Sequence, residues 1–300
     1  MADDLPSTIG PYRILRRLGE GGVAEVFLAV AHGAAGFEKR VALKRLRPEL
    51  QGDPRLEKLL VDEARLAARL QHGRLVGVHE LALDPTTGSY YVRLDAVDGP
   101  SLAELLRRHG PPPPALALFI ADELALALAA LHAATDDAGR PLGLVHRDLS
   151  PSNVLVSRAG EVKLADFGLA KATQLQTTTR ANVVKGTYAY MSPEQVAGAP
   201  LGPASDQFAL ASTTHELLTG RRAFHADSVH ATMDAVRNAP PAPLPAELPR
   251  EVAATLARCH AKDPAARFPS TAALVEALAS ARRALPPAGP LDLARLLTRT

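Results

Sequence analysis

The run His146-Arg147-Asp148-Leu149-Ser150-Pro151-Ser152-Asn153, followed by Asp166-Phe167-Gly168, decides how this chain is read. Asn153 stands five residues after Asp148, and Asp166 thirteen residues after Asn153. Between them lies a short β pair, Val154-Leu155-Val156 and Val162-Lys163-Leu164, joined by Ser157-Arg158-Ala159-Gly160-Glu161. The three oxygen-bearing side chains thus fall on loops at the two ends of one hairpin. Their types suit a proton acceptor and two ligands of magnesium, because carboxylate and amide oxygens are the donors taken by the hard cation that accompanies nucleotide phosphates. Either tripeptide alone is a weak signal, whereas the order and spacing together are specific.

Upstream, Leu18-Gly19-Glu20-Gly21-Gly22-Val23-Ala24-Glu25-Val26 is a glycine-rich hairpin whose backbone can approach phosphates without Cβ obstruction. Alone it reads equally well as an ordinary turn. Eighteen residues after Val26, Lys44 ends the apolar run Val41-Ala42-Leu43 and offers a point charge to phosphate oxygens. Lysine is scarce, seven of 34 basic residues, which singles this one out. Glu63 lies on the leucine-bearing face of a helix predicted over 55–71, where it can hold that lysine. Strands are predicted over 11–18, 23–30, 39–45, 75–83 and 89–97. From Gly99 onward alanine- and leucine-rich helices follow over 101–109, 115–134, 205–219, 228–235, 251–260 and 270–284, separated by loops rich in proline or glycine. No repeat of 20 to 50 residues is visible, so a solenoid is not expected.

These motifs resemble a eukaryotic-type protein kinase domain, most closely the bacterial serine/threonine kinases in a variant with His-Arg-Asp-Leu-Ser-Pro-Ser-Asn. The resemblance runs from Gly19 to Arg267. It implies an α+β, bilobal fold: a lead at 1–10, a β-rich lobe with one long helix at 11–98, a mainly helical lobe at 99–285, and a tail at 286–300. It implies ATP in a cleft with a hinge near residues 95–99, and γ-phosphoryl transfer to protein serine or threonine hydroxyls. Gly19, Glu20, Gly21 and Gly22 would then cover the nucleotide. Lys44 would bind its phosphates with Glu63 as ion-pair partner, and Leu18, Val26, Ala42 and Leu155 would sandwich adenine. Leu94 would be the gatekeeper, followed by the hinge Asp95-Ala96-Val97. Asp148 would accept the hydroxyl proton, while Asn153 and Asp166 hold Mg²⁺, with Mn²⁺ as a substitute. Further on, Gly186-Thr187-Tyr188-Ala189-Tyr190-Met191-Ser192-Pro193-Glu194 resembles the end of the activation segment. Glu194 would pair with Arg267, and Asp206 would brace the catalytic loop.

Three positions depart from the family pattern. The third loop glycine is Ala24, a small change. Arg93 stands beside the gatekeeper where the family has an apolar residue, with no role legible in the sequence. The lysine expected two residues after Asp148 is Ser150, which removes a charge that stabilises the transferring phosphoryl group. That loss defines the alternative reading, a pseudokinase acting as a nucleotide-binding interaction protein. A small-molecule phosphotransferase is disfavoured by residues 186–194. Arg147, immediately before Asp148, suggests a receptor for phosphothreonine. Thr177, Thr178 and Thr179 are the expected autophosphorylation sites, reached in a transient homodimer, whereas modification of Thr187 would inhibit.

Composition agrees with an enzyme that needs no nucleic acid or membrane partner. The 300 residues carry 34 basic and 32 acidic side chains, a balance without the clustered charge such binding requires. One cysteine, Cys259, closes no disulfide within the chain. The N-terminus is acidic where a signal peptide is basic, and the apolar stretch 115–134 is interrupted by Asp122 and Glu123, so a cytoplasmic protein is expected. Histidines 72, 132, 225 and 230 have no metal-ligand spacing, and the arginine pairs 107-108, 221-222 and 282-283 read as solvated helix faces.

Overall fold

Alternating apolar residues and glycine turns build one antiparallel sheet in the first part of the chain. The computed structural model describes residues 5–166 and 187–298, apart from the side chain of Thr187. The strands are β1 (Thr8–Ile9), β2 (Tyr12–Glu20), β3 (Ala24–His32), β4 (Glu38–Leu46), β5 (Val78–Leu83) and β6 (Tyr90–Asp95). They run in the order β1-β2-β3-β4-β6-β5. Helix α1 (Pro54–Ala67) is the one long helix of this unit, which comprises the described chain to Gln71 together with Val76–Val97.

Strand period sorts the side chains to two faces. The pairs Val26↔Lys44, Lys44↔Val92 and Ala42↔Leu94 place these residues on one face, where Leu46 and Val92 pack on Leu60 and Ala64 of α1. The other face carries Phe27, Val41, Leu43 and Tyr91, closed over by Ile9 and Tyr12. Residues 8 and 9 of the expected lead therefore belong to the sheet, with Ile9 fully buried. Asp53 caps α1 by accepting from the amides of Arg55 and Leu56, and Pro54 at the first position suits a helix start. The helix stops four residues short of the predicted 71. There Arg69 and Leu70 donate to Leu66 and Ala67, three residues back, tightening the last turn.

The second unit comprises His72–Leu75 and the described chain from Asp98 onward. Leu75, the last residue of the first segment, was expected to open the strand 75–83. Instead the Leu164 amide donates to the Arg74 carbonyl at 2.8 Å, and the Arg74 guanidinium grips Glu123 at 2.7 and 3.0 Å. The helices are α2 (Leu102–His109), α3 (Pro114–His132), α4 (Pro193–Val196), α5 (Pro203–Thr219), α6 (Val229–Asn238), α7 (Arg250–Cys259), α8 (Thr271–Arg282) and α9 (Pro290–Thr298). The hairpin β7 (Val154–Val156) and β8 (Val162–Leu164) lies among them. Helix α3 is apolar nearly all round and long enough to cross a membrane; here α5 and α8 pack on it, and it is the core helix of the unit.

The tail at 286–300 contains α9, whose Leu293 is fully buried. Arg282 holds its approach by donating to the Ala288 carbonyl at 3.1 Å, and it also pairs with Asp122. It is therefore no solvated-face residue, whereas Arg107 and Arg108 are exposed, beside Glu104. Where the tail crosses the β7–β8 turn, a Cβ on Gly160 would lie 1.8 Å from the Pro290 oxygen, so only glycine fits.

Candidate active site

In the β-rich unit, period-2 geometry and the α1 face bring Lys44 and Glu63 together. Lys44 Nζ donates to Glu63 Oε1 at 2.7 Å, and the two side chains are 13% and 10% exposed. Glu63 is buried with Leu60, Ala64 and Ala67, the i, i+3, i+4, i+7 set that turns a glutamate inward. Val26, Ala42 and Leu94 share the Lys44 face of the sheet and form an apolar surface around it. Asp95 falls on the opposite face. Its carboxylate accepts from the Gly77 amide at 3.0 Å and meets His79 Nε2 at 2.7 Å, its own amide donates to the Gly77 carbonyl at 3.0 Å, and Val97 beyond it is half-buried.

Leu18 to Val26 spans the end of β2, a tight turn closed by the Gly21 amide on the Ala24 carbonyl, and the start of β3. Leu18, Gly19, Glu20, Gly21 and Gly22 are all exposed. Glu20 pairs with Arg17 and Arg47. Glu25, which the sequence did not single out, is buried and accepts from Arg45 Nε at 2.7 Å, with Arg17 at 3.7 Å. Both guanidiniums lie over the Phe27 ring.

Arg93 now has an account. It shares the face of Tyr91 and reaches Glu80 Oε2 at 3.1 Å, and the Tyr12 hydroxyl donates to the same oxygen at 2.5 Å. Burial, then the Glu80 contact, pushes the Tyr12 phenol up to about 12.

In the helical unit the loop that carries Asp148 is held largely through its backbone groups, by side chains of the helices. Asp206 of α5, 1% exposed, accepts from the amides of His146 at 2.7 Å and Arg147 at 2.9 Å. His132 Nε2 reaches the same carboxylate at 2.8 Å, while its Nδ1 meets Thr271 Oγ1 at 2.7 Å. His146 is fully buried. Its Nδ1 accepts from the Asp148 amide at 3.3 Å and its Nε2 donates to the Ala165 carbonyl at 3.1 Å, which defines one neutral tautomer. Burial lowers its pKa and outweighs the nearby Asp206 and Asp148 carboxylates.

Asp148 is buried, and Asn153 Nδ2 donates both to its carbonyl at 2.8 Å and to its Oδ2 at 2.7 Å. That use of the amide nitrogen turns the Asn153 oxygen away as the atom left for a cation. Among the described residues no group of three or more His, Cys, Asp or Glu side chains could hold a metal by itself. An amide oxygen and the Asp166 carboxylate nevertheless fit a cation that keeps waters and takes phosphate oxygens, as magnesium does. Arg147 and Asp166 both have positive φ, 68° and 57°, strained backbone of the kind that tertiary contacts impose at functional sites. Ser150 is buried, with extended backbone, and brings no cation to the loop. Leu155 is half-buried in β7.

Arg267 is fully buried and takes both oxygens of Glu194 at 2.7 and 2.9 Å, while Ser205 donates to Glu194 at 2.7 Å. Further bonds run from Arg267 to the carbonyls of Ala261 and Ala204. Burial raises the Glu194 pKa, but the Arg267 and Ser205 hydrogen bonds prevail and hold it below the ordinary value. Phe167, Gly168, Thr177, Thr178, Thr179 and the Thr187 side chain lie outside the described residues.

The chain belongs to the protein kinase family: the family model described as "Protein kinase domain" matches residues 12–278. Its α+β architecture, a β-rich unit and a mainly helical unit, is the bilobal kinase fold. Among curated relatives, a protein named tyrosine-protein kinase MasK, from Myxococcus xanthus, is 40% identical over 277 residues, covering 90% of this chain and 42% of that protein. Serine/threonine-protein kinase PknA of Mycobacterium tuberculosis is 34% identical over 284 residues, 94% of this chain and 63% of that protein. PknD of the same species, also named a serine/threonine-protein kinase, is 35% identical over 278 residues, 90% and 40%. The chain spans from two-fifths to just under two-thirds of the length of these bacterial relatives.

Proposed function

We propose that the chain is a magnesium-dependent kinase of protein serine and threonine residues. The substrate hydroxyl oxygen bonds to the γ-phosphorus of ATP, the bond from that phosphorus to the β–γ bridging oxygen breaks, ADP departs, and the hydroxyl proton goes to Asp148. The observation that carries this reading is the Asp148 carboxylate pinned at 2.7 Å by Asn153, on a loop whose preceding amides are held by Asp206. A base fixed in this way orients its hydroxyl before reaction, and most of the catalytic effect is positioning and charge stabilisation. Lys44, held by Glu63, supplies a cation for the α and β phosphates. Magnesium, held by Asn153 and Asp166, neutralises phosphate charge when bound. The names of PknA and PknD support a serine or threonine acceptor, whereas that of MasK points to tyrosine.

The test is transfer from radiolabelled ATP with Mg²⁺ to a generic protein substrate, beside Asp148→Asn. The substitution should lower kcat by about 10² to 10⁴, the span of general-base catalysis. Acid hydrolysis of the labelled substrate should yield phosphoserine and phosphothreonine, and phosphotyrosine alone would move the acceptor to the MasK type. Equal labelling by both proteins, or nucleotide binding with no labelling, would leave the pseudokinase reading that the buried Ser150 favours.

Regulation follows from Arg147, whose Nε is buried without a hydrogen-bond partner among the described residues. It is a receptor for phosphate on Thr177, Thr178 or Thr179, added in a transient encounter of two copies where ATP is available, in the cytoplasm. Peptide mapping after incubation with Mg-ATP should find phosphate in 174–180, and its absence there overturns this.

A further inference from the structure

The peptide units around Arg147 are held by side chains from two helices. The Arg147 amide goes to Asp206 of α5, and the Arg147 carbonyl accepts from Gln195 Nε2 at 2.8 Å. This residue has φ of 68°, so neither group lies where a regular element would satisfy it. Gln195 is 7% exposed and has a second task in α4. Its Oε1 accepts from the Ser192 amide at 3.0 Å, while its own amide donates to Ser192 Oγ at 3.3 Å, a capping box. One side-chain amide thus joins the start of α4 to the carbonyl immediately before Asp148.

We propose that Gln195 is a positioning residue for the transfer reaction, holding the Arg147–Asp148 peptide so that the Asp148 carboxylate is presented to the substrate hydroxyl. This rests on the kinase reading above. Glutamate at 195 has the same shape and keeps the capping box, because Oε1 still accepts from Ser192. Only the donor to Arg147 is lost, and a carboxylate oxygen then faces a carbonyl oxygen. Protonating that carboxyl restores an O–H donor. The titratable and charged groups on the surrounding elements are His146, Arg147 and Asp148 of the loop, Glu194 with Arg267, Asp206 of α5, and the exposed His230, Asp234 and Arg237 of α6. All are common to wild type and variant, so a ratio between the two isolates residue 195.

The experiment measures kcat and KM of the full chain with Mg-ATP and a protein substrate from pH 8 to 5.5, for wild type, Gln195→Glu and Gln195→Met. At pH 8 both variants should lose about tenfold to a hundredfold in kcat, the scale of a misplaced catalytic group, with little change in KM for ATP. The Gln195→Glu ratio to wild type should climb as pH falls, and the Gln195→Met ratio should stay flat. In parallel, amide exchange of the peptide containing 146–150 at pH 8 should be faster in both variants. Wild-type kcat in Gln195→Glu at pH 8, equal pH behaviour of the two variants, or unchanged exchange would each overturn the proposal. If wild type transfers no phosphate, the kinase reading fails by itself and the exchange measurement still decides whether Gln195 holds the loop.

Discussion

Two buried glutamates, one in each unit, meet a cation in different ways. Glu63 takes the ammonium of Lys44 at 2.7 Å, with side chains 13% and 10% exposed. Glu194 takes the guanidinium of Arg267 through two parallel bonds, with side chains 8% and 0% exposed, and backbone carbonyls and Ser205 complete the set. The planar guanidinium fork suits a fixed, fully satisfied joint, whereas a lysine remains a point charge that can be shared with a ligand. The difference separates a pair that serves structure from a pair that, on the proposed function, serves phosphate.

The largest effect should come from breaking the structural pair. Arg267→Met leaves the Glu194 carboxylate buried without its cation, and loss of about 3–5 kcal/mol is expected, read as a shift of the urea midpoint by circular dichroism. Lys44→Met should move that midpoint far less, because its group is partly hydrated. It should instead lower phosphoryl transfer by about 10² to 10³, as removal of a transition-state charge partner does. A large loss of stability in Lys44→Met, or near-normal stability in Arg267→Met, would dissolve the distinction.

Acid sharpens it further. The Glu194 pKa is lowered in the fold, so its contribution is complete above the unfolded carboxyl pKa and disappears as pH falls through the folded one. Stability of wild type should therefore drop steeply below about pH 4.3, and Glu194→Gln should flatten that slope in acid titrations followed by circular dichroism. The smallest effect belongs to a third pair, Arg93 and Glu80, 26% and 34% exposed. Arg93→Leu should change stability by less than about 1 kcal/mol. It should also raise the Tyr12 phenol further in a spectrophotometric titration, since Arg93 now lowers it.

Much of this was readable along the chain because the signals were local. Glycine turns and period-2 apolar runs placed the strands within a few residues, and the leucine face that carried Glu63 turned it inward as expected. Short elements escaped that reading. Strand β1 has two residues and α4 four, too few for a periodic pattern to show, and α9 lies in a proline-punctuated tail. The strand expected over 75–83 starts only at Val78, and the segment just before it is claimed by contacts of Arg74 to Leu164 and Glu123, far away in sequence.

By itself, then, the sequence determined the family and the order of the longer elements, and singled out Lys44, Glu63, Asp148, Asn153 and Asp166 as candidates, because spacing between motif residues survives without coordinates. Tertiary structure alone decided which side chains hold them. His132 reaches Asp206 from one helix and is itself met by Thr271 from another, Gln195 reaches the Arg147 carbonyl, and Arg93 and Tyr12 converge on Glu80 across strands. Such partners are set by packing across long separations, where a single histidine, glutamine or arginine carries no periodic signal to announce its target.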